Sequence, residues 1–268
     1  MGHLKDNYLF DFITDLQSKG RFTFSLPEIR PIFNVSDRAL KEALRRLAAK
    51  NRICSVRRNF YIIIPPEYLA QRILPPALFV DDMMRFIGKP YYAGLLSAAV
   101  FHGAAHQQPQ EFFVVTVKPA HRRISVRGIA INFLIRGRIP EGLIEKKQTE
   151  TGYLNISNPA LTAIDCISYA HRIGGIGRAA EVIRDLVPAL TGKGLVSLVK
   201  ADVPVPALQR LGFLLDRFPE SRELAEILHE ALSPDKPGRI MLSAAGEKKD
   251  DSVNRWNVVE NVKVEIDE

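Results

Sequence analysis

Residues 26–64 read LPEIRPIFNVSDRALKEALRRLAAKNRICSVRRNFYIII, and their pattern decides the fold of the N-terminal region. At about 100° per residue, positions 36–50 separate into two faces of one helix. The apolar face contains Leu40, Ala43, Leu44 and Leu47, and the opposite face contains Arg38, Lys41, Glu42 and Arg45. Asn34 or Ser36 can cap this helix, and Pro27 suits the first turn of a short helix before it. The pattern therefore predicts two consecutive helices joined by a short turn.

The flanking sequence completes a recognisable order of elements. Lys5–Ser18 has a helical apolar period, and Arg21–Ser25 alternates like a short strand. Two further β runs, Ile53–Val56 and Phe60–Ile64, enclose a tight basic turn at whose tip Arg57 and Arg58 are expected. This order is typical of a winged helix-turn-helix, and Pro65-Pro66 ends it because proline cannot continue a paired strand. We therefore predict a winged-helix domain at residues 1–66.

Positive charge is concentrated in this module. Residues 28–58 contain nine Lys and Arg against three acidic residues, a net charge of +6, whereas the whole chain carries +7. Such a concentration favours a polyanionic partner, and double-stranded DNA is the usual one for this fold. The predicted DNA-binding residues are Ser36, Arg38, Lys41, Arg45, Arg57 and Arg58. Two other interpretations stay open: an ordinary solvated helix face, and a winged helix that binds only protein.

The remaining residues, 67–268, are expected to form a larger α+β domain with an antiparallel sheet and a helical bundle. Strand-like runs cover 112–117, 124–126 and 129–135, and the apolar alternation changes phase at Arg127-Gly128, which predicts a hairpin or a bulge. Helical patterns begin at Pro159, with Asn158 as the cap, and continue to about residue 232. Two late strands are expected near 240–243 and 258–266, with a mobile charged loop at 246–252 between them.

A second basic set accompanies the predicted strands. It consists of Arg122, Arg123, Arg127, Arg136 and Arg138. These arginines are either a solvated strand face or an auxiliary surface for DNA, RNA or a protein partner. The sequence alone leaves both interpretations open.

Several kinds of chemistry lack support in the sequence. His102 and His106 have the spacing of a zinc pair, but no third ligand follows them. The glycines at 174–177 follow a helix and lack the Lys-Ser/Thr of a phosphate-binding loop. We therefore expect no metal, no cofactor and no enzymatic activity. Cys54 and Cys166 lie in apolar contexts and are expected to be buried free thiols of a cytoplasmic protein, and no apolar run is long enough to cross a membrane.

Several segments together resemble one known family. They are residues 91–104 (YYAGLLSAAVFHGA), 111–116 (EFFVVT), 158–165 (NPALTAID), 174–182 (GGIGRAAEV) and 209–216 (QRLGFLLD). With the winged helix, their order and spacing resemble the AbiEi-type antitoxins of type IV (abortive infection) toxin–antitoxin systems, which act in phage defence, over nearly the whole chain.

The resemblance implies two activities. The winged helix would bind inverted repeats in the promoter of its own operon, with two copies on one operator, and repress transcription. The C-terminal domain at residues 67–268 would counteract a nucleotidyltransferase toxin, and in this family a stable complex with the toxin is not required. The alternative is a stand-alone winged-helix transcriptional regulator whose C-terminal domain senses a ligand or a protein. An enzyme tethered to DNA is a third class, but the sequence shows no cluster of carboxylates or histidines for it.

Overall fold

The computed structural model describes residues 6–104, 111–201, 203–232, 238–243 and 254–264. The chain divides into two compact units. The first unit consists of Met1–Tyr91, Gln110–Gly137 and Lys146–Asn155, and the second of Tyr92–Pro109, Arg138–Glu145 and Ile156–Glu268. Helices and mixed sheets confirm the predicted α+β class.

The first unit begins with the element order that the sequence predicts. Its elements are α1 (Asp6–Ser18), β1 (Thr23–Ser25), α2 (Leu26–Ile29), α3 (Asp37–Ala49), β2 (Ile53–Arg57) and β3 (Phe60–Ile63). β3 lies between β1 and β2 and is antiparallel to both. This is the helix, strand and hairpin arrangement expected of a winged helix.

One apolar cluster holds these N-terminal elements together. Its members come from all three helices and from the strands: Leu9, Ile13, Leu16, Phe24, Ile29, Phe33, Leu40, Ala43, Leu44, Leu47, Ile53 and Ile63. The four residues predicted for the inner face of α3 are all in it. Since full burial of a large apolar side chain contributes roughly 1.5–3 kcal/mol, this cluster fixes which face of α3 points outward.

The following strands form a larger sheet. After α4 (Val80–Ile87) come β4 (Tyr91–Ala93), β5 (Glu111–Thr116), β6 (Ile124–Val126), β7 (Ile129–Ile135), β8 (Ile144–Thr149) and β9 (Gly152–Ser157), in the sheet order β6-β7-β5-β4-β9-β8. α5 (Leu95–Phe101) follows β4. The predicted hairpin is confirmed: β6 and β7 are antiparallel, and the turn residues Arg127 and Gly128 both have positive φ, 48° and 84°.

The sheet is mixed, where the sequence predicted an antiparallel one. β5 runs parallel to β7, and β4 runs parallel to β9. The reason is the path of the chain: after β5 it crosses to the sheet edge, forms β6 there, and returns as β7 between β6 and β5. Local alternation of apolar residues cannot reveal such a crossover, because it reports which face of a strand is buried and not which strand lies beside it or in which direction that strand runs.

The second unit contains the predicted helical bundle. Its main helices after β9 are α6 (Pro159–Ser168), α7 (Ile176–Leu186), α8 (Gly192–Lys200), α9 (Val205–Arg217) and α10 (Arg222–Leu232). The predicted cap of α6 is confirmed, since Oδ1 of Asn158 accepts a hydrogen bond of 2.9 Å from the amide of Leu161. Two short strands, β10 (Ile240–Met241) and β11 (Val258–Val259), pair in parallel. The loop at 246–252 lies outside the described residues.

The predicted winged-helix domain, residues 1–66, lies entirely within the first unit, which extends further along the chain. Independent folding of residues 1–66 therefore stays a prediction. Both cysteines are buried and unbridged, as expected. In the described part of the chain, no helix combines the length and the apolar character needed to cross a membrane.

Candidate nucleic-acid interface

α3 presents the predicted cationic face to solvent. It begins after Ser36, whose hydroxyl accepts a hydrogen bond of 3.2 Å from the amide of Ala39. The side chains of Arg38, Lys41 and Arg45 are exposed, opposite the buried apolar face. Ser36 therefore fixes where the helix begins, and the three cations are placed by the packing behind them. A helix held from behind in this way can present its outer face to a DNA groove.

The cations on this face of α3 form weak ion pairs with other protein groups or none among the described residues. Nε of Arg45 lies 3.0 Å from Oε2 of Glu42, but the two side chains are 76% and 50% exposed. Such an exposed pair contributes less than about 1 kcal/mol, so Arg45 can exchange Glu42 for a phosphate at small cost. Within the described residues, Arg38 and Lys41 have no hydrogen bond or ion pair. These three side chains are available to a ligand.

An acidic residue at the start of α3 is compensated. Asp37 forms an ion pair with Arg30, and Arg30 also donates a hydrogen bond of 3.3 Å to the carbonyl oxygen of Phe33. The carboxylate of Asp37 is favourable at the positive end of the helix. Because Arg30 neutralises it, Asp37 adds little repulsion toward a polyanion at this end of α3.

The wing is tighter than the sequence predicted. Its turn consists of Arg58 and Asn59, and Asn59 adopts a left-handed backbone with φ of 63°. Arg57 is the last residue of β2 and is half-buried, whereas Arg58 is exposed. The prediction that both arginines lie at the tip was therefore wrong for Arg57, because the left-handed residue closes the hairpin one position later.

Arg57 is engaged by a residue far along the chain. Its Nη2 donates to Nδ1 of His121 at 3.5 Å. Burial lowers the pKa of His121, and the nearby cations Arg57 and Lys89 lower that pKa further. A neutral imidazole can accept a hydrogen bond from a guanidinium, which an imidazolium cannot do. The lowered pKa of His121 favours the neutral ring, which is the form that can accept the hydrogen bond from Arg57. The sequence analysis did not single out His121.

The auxiliary arginines do not behave as one surface. Arg122 is exposed and has no partner within the described residues. Arg123 pairs with Glu111 at 2.5 Å, and Arg127 donates to the carbonyl oxygen of Arg72. Arg136 is half-buried, and Arg138 is exposed but belongs to the second unit. Four arginines of this auxiliary set lie in the first unit, and among them Arg122 is the one whose guanidinium is exposed without a partner in the described residues.

Most of the segments that carried the family resemblance lie in the second unit, whereas residues 111–116 belong to the first. Tyr92 of β4 donates a hydrogen bond of 2.8 Å to Asp165 of α6, and both side chains are fully buried. Nε2 of His102 donates to the carbonyl oxygen of Ser157 at 2.7 Å. These contacts give His102 a packing role, as expected. His106 lies outside the described residues, and the described ones contain no group of three or more His, Cys, Asp or Glu placed to hold a metal ion.

Comparisons with known proteins agree with this architecture. Residues 92–217 match the family of the AbiEi antitoxin C-terminal domain. The crystal structure of the RV2827C protein from Mycobacterium tuberculosis is similar to this chain, with a TM-score of 0.64 and 15% identity over 94% of this chain and 90% of that chain. At this identity the likeness shows the fold alone. No curated protein matches the sequence. This chain therefore contains an AbiEi antitoxin C-terminal domain at residues 92–217.

Proposed function

We propose that this protein is the antitoxin and transcriptional autorepressor of a type IV toxin–antitoxin operon. The face of α3 formed by Arg38, Lys41 and Arg45 binds inverted repeats in the promoter of that operon, and Arg58 at the wing contacts the sugar-phosphate backbone of the DNA. The C-terminal domain counteracts a nucleotidyltransferase toxin without any catalytic reaction of its own.

The observation that carries the DNA-binding half is the exposure of the α3 cations. They lie on a helix whose other face is buried in an apolar core. Among the described residues, Arg38 and Lys41 have no partner, and Arg45 has only an exposed ion pair with Glu42. Each phosphate that such a cation neutralises releases condensed counterions, which drives binding at moderate salt. An arginine that also reaches a base edge adds selectivity. Exposure of these groups is what a DNA interface requires.

The antitoxin half rests on the domain family. The AbiEi antitoxin C-terminal domain covers residues 92–217, which run from β4 to the end of α9. Polar side chains inside this region, such as Tyr92 and Asp165, form hydrogen bonds with each other, which gives them a structural role. The activity against the toxin is therefore assigned to the outer surface of this domain, and direct contact with the toxin is not required by the proposal.

The test measures both halves on the full chain. The protein is titrated with duplex DNA from upstream of its own gene and with a shuffled duplex of equal length, and growth is followed in cells that express the toxin encoded beside it. Selective binding together with restored growth is expected. Equal affinity for both duplexes would disprove operator recognition. Selective binding without any restored growth would instead support a stand-alone regulator.

A further inference from the structure

We propose that the loop between β5 and β6, residues 117–123, is a second element that grips duplex DNA, beside the wing. Its ligand is the phosphate backbone that flanks the half-site bound by α3. This inference rests on the proposed DNA binding by α3 and the wing, and it assigns a partner to residues outside that module.

The loop lies next to the wing within the first unit. His121 in the loop accepts the hydrogen bond from Arg57 at the end of β2, and β2 also contacts β6, the strand that follows the loop. The ring of His121 packs edge-on against Phe133 of β7, with centroids 5.3 Å apart. A duplex that reaches the wing therefore passes close to this loop.

The backbone of the loop is held in one conformation. Nζ of Lys89 donates to the carbonyl oxygens of Val117 and Pro119, at 3.2 Å and 2.6 Å. Thr116, just before the loop, donates to the carbonyl oxygen of Pro90 at 2.7 Å. These bonds fix the start of the loop, and His121 fixes its end. A loop ordered before binding loses less conformational freedom when a ligand arrives.

Two cations of the loop are left to solvent. Lys118 and Arg122 are exposed, and neither has a hydrogen bond or ion pair among the described residues. The neighbouring Arg123 differs, because Glu111 neutralises it. The ammonium group of Lys89 is also engaged, because it donates hydrogen bonds to the backbone of the loop. The loop thus presents two free positive charges on a fixed backbone, adjacent to a wing whose Arg58 is also exposed.

This arrangement favours a phosphate backbone over an acidic protein. The free charges belong to the same compact unit as α3 and the wing, the loop contacts the end of β2 through His121, and a duplex is a partner long enough to touch all three elements. Contacts of this kind position the protein on the duplex and carry no base information. The loop should therefore add affinity and salt dependence without changing sequence selectivity.

The experiment compares two double variants of the full chain. The test variant is Lys118→Ala with Arg122→Ala. The control is Lys146→Ala with Lys147→Ala, which removes two exposed lysines from β8, at the opposite edge of the sheet. Binding is measured by fluorescence anisotropy at several salt concentrations, on a duplex that ends at the inverted repeat and on one extended by about one helical turn, roughly 10 base pairs, on each side.

The extended duplex should bind the wild type more tightly and with a steeper dependence of log affinity on log salt. The test variant should lose about 0.9 in that slope for each phosphate contact removed, so roughly two in total, and should no longer distinguish the two duplexes. Its preference for the operator over a shuffled sequence should be unchanged, and the control should behave like the wild type.

An unchanged slope in the test variant would overturn the proposal. So would normal DNA binding combined with lost protection against the toxin, which would make the loop a protein-binding surface. If Arg38→Ala impairs operator binding while the loop variant binds normally, the loop proposal fails and the proposed function stands. If the wild type does not bind its operator at all, both fail together.

Discussion

Thr23 of β1 donates a hydrogen bond of 2.6 Å from its hydroxyl to Asp82 of α4. Beside it, Phe60 of β3 packs against Phe86 of α4 with ring centroids 5.4 Å apart. Thr23 and Phe60 are almost fully buried, at 3% and 2% exposure. The sheet formed by β1, β2 and β3 is therefore contacted by a helix that follows residue 66.

This contact predicts how fragments of the chain behave. A fragment of residues 1–91 should unfold at a higher temperature than one of residues 1–66, which leaves Thr23 and Phe60 uncovered. In the full chain, Asp82→Ala should cost about 1–3 kcal/mol, because it removes a hydrogen bond to a charged group. Thermal and urea unfolding followed by circular dichroism measure both effects, with the exposed Glu67→Ala as the control. Equal melting temperatures for the two fragments would show that α4 contributes nothing to the stability of residues 1–66.

Substitutions on α3 and in the wing should separate base reading from backbone contact. Arg38→Ala or Arg45→Ala should weaken operator binding by about 1–3 kcal/mol where the lost contact is a base-specific pair. Arg58→Ala should weaken binding to all duplexes alike and make the salt slope shallower by about one. Arg57→Ala should have a smaller effect than Arg58→Ala, since His121 already engages that guanidinium.

The binding of these variants to operator and shuffled duplexes is measured by fluorescence anisotropy. The control is Lys19→Ala, which removes an exposed charge just after the end of α1. Wild-type affinity and selectivity in both α3 variants would exclude this face of the helix as the interface. A larger loss for Arg57→Ala than for Arg58→Ala would show that Arg57 leaves His121 when DNA binds.

The stability of the protein should depend on the protonation of His121. The folded-state pKa of His121 lies below its usual value of about 6.5, because the half-buried ring is partly desolvated and lies near the cations Arg57 and Lys89. Between the two pKa values the unfolded chain binds more protons than the folded one. The stability contributed by neutral His121 is therefore fully present above about pH 6.5, and it is lost as the pH falls through the folded-state pKa.

The expected result is a urea midpoint that declines on acidification more steeply in the wild type than in His121→Gln. Glutamine retains an acceptor oxygen for Arg57 but does not titrate. Midpoints at about pH 8, 6.5 and 5.5, spanning the ordinary range of histidine titration, provide the comparison. Parallel pH profiles for the two proteins would show that His121 does not contribute.

A pair of glycines in the helical bundle gives a matched test of packing. Gly212 of α9 lies against Trp256, and a Cβ at Gly212 would approach the indole ring to 2.2 Å. A Cβ added to Gly177 of α7 would meet no other atom within 4 Å. Gly212→Ala should therefore destabilise the protein by about 1–3 kcal/mol, whereas Gly177→Ala should be neutral or stabilise it by up to about 1 kcal/mol.

Trp256 is the single tryptophan of the chain, so its fluorescence reports directly on this contact. Displacement of the indole from its hydrogen bond with Asp216 should shift the emission to longer wavelength in Gly212→Ala and leave it unchanged in Gly177→Ala. Identical spectra and melting temperatures for the two variants would contradict the packing of Trp256 against α9.

The sequence by itself determined the features that depend on neighbouring residues. The two faces of α3 and the cap of α6 at Asn158 follow from periodicity and capping within a few positions of the chain. The sequence also narrowed the cap of α3 to Asn34 or Ser36 and the turn at Arg127-Gly128 to a hairpin or a bulge, and the structure has Ser36 and the hairpin. The family segments were readable for the same reason, since their order along the chain is a property of the sequence.

The tertiary structure alone decided which charges are free. Whether an arginine is paired depends on residues that the fold brings together: His121 reaches Arg57 across 64 positions, and Glu111 reaches Arg123 across a strand crossover. The same holds for the mixed sheet and for Trp256 on α9. Local periodicity states which side of an element is apolar, but it contains no information about which distant element covers that side, because the path of the chain sets those contacts.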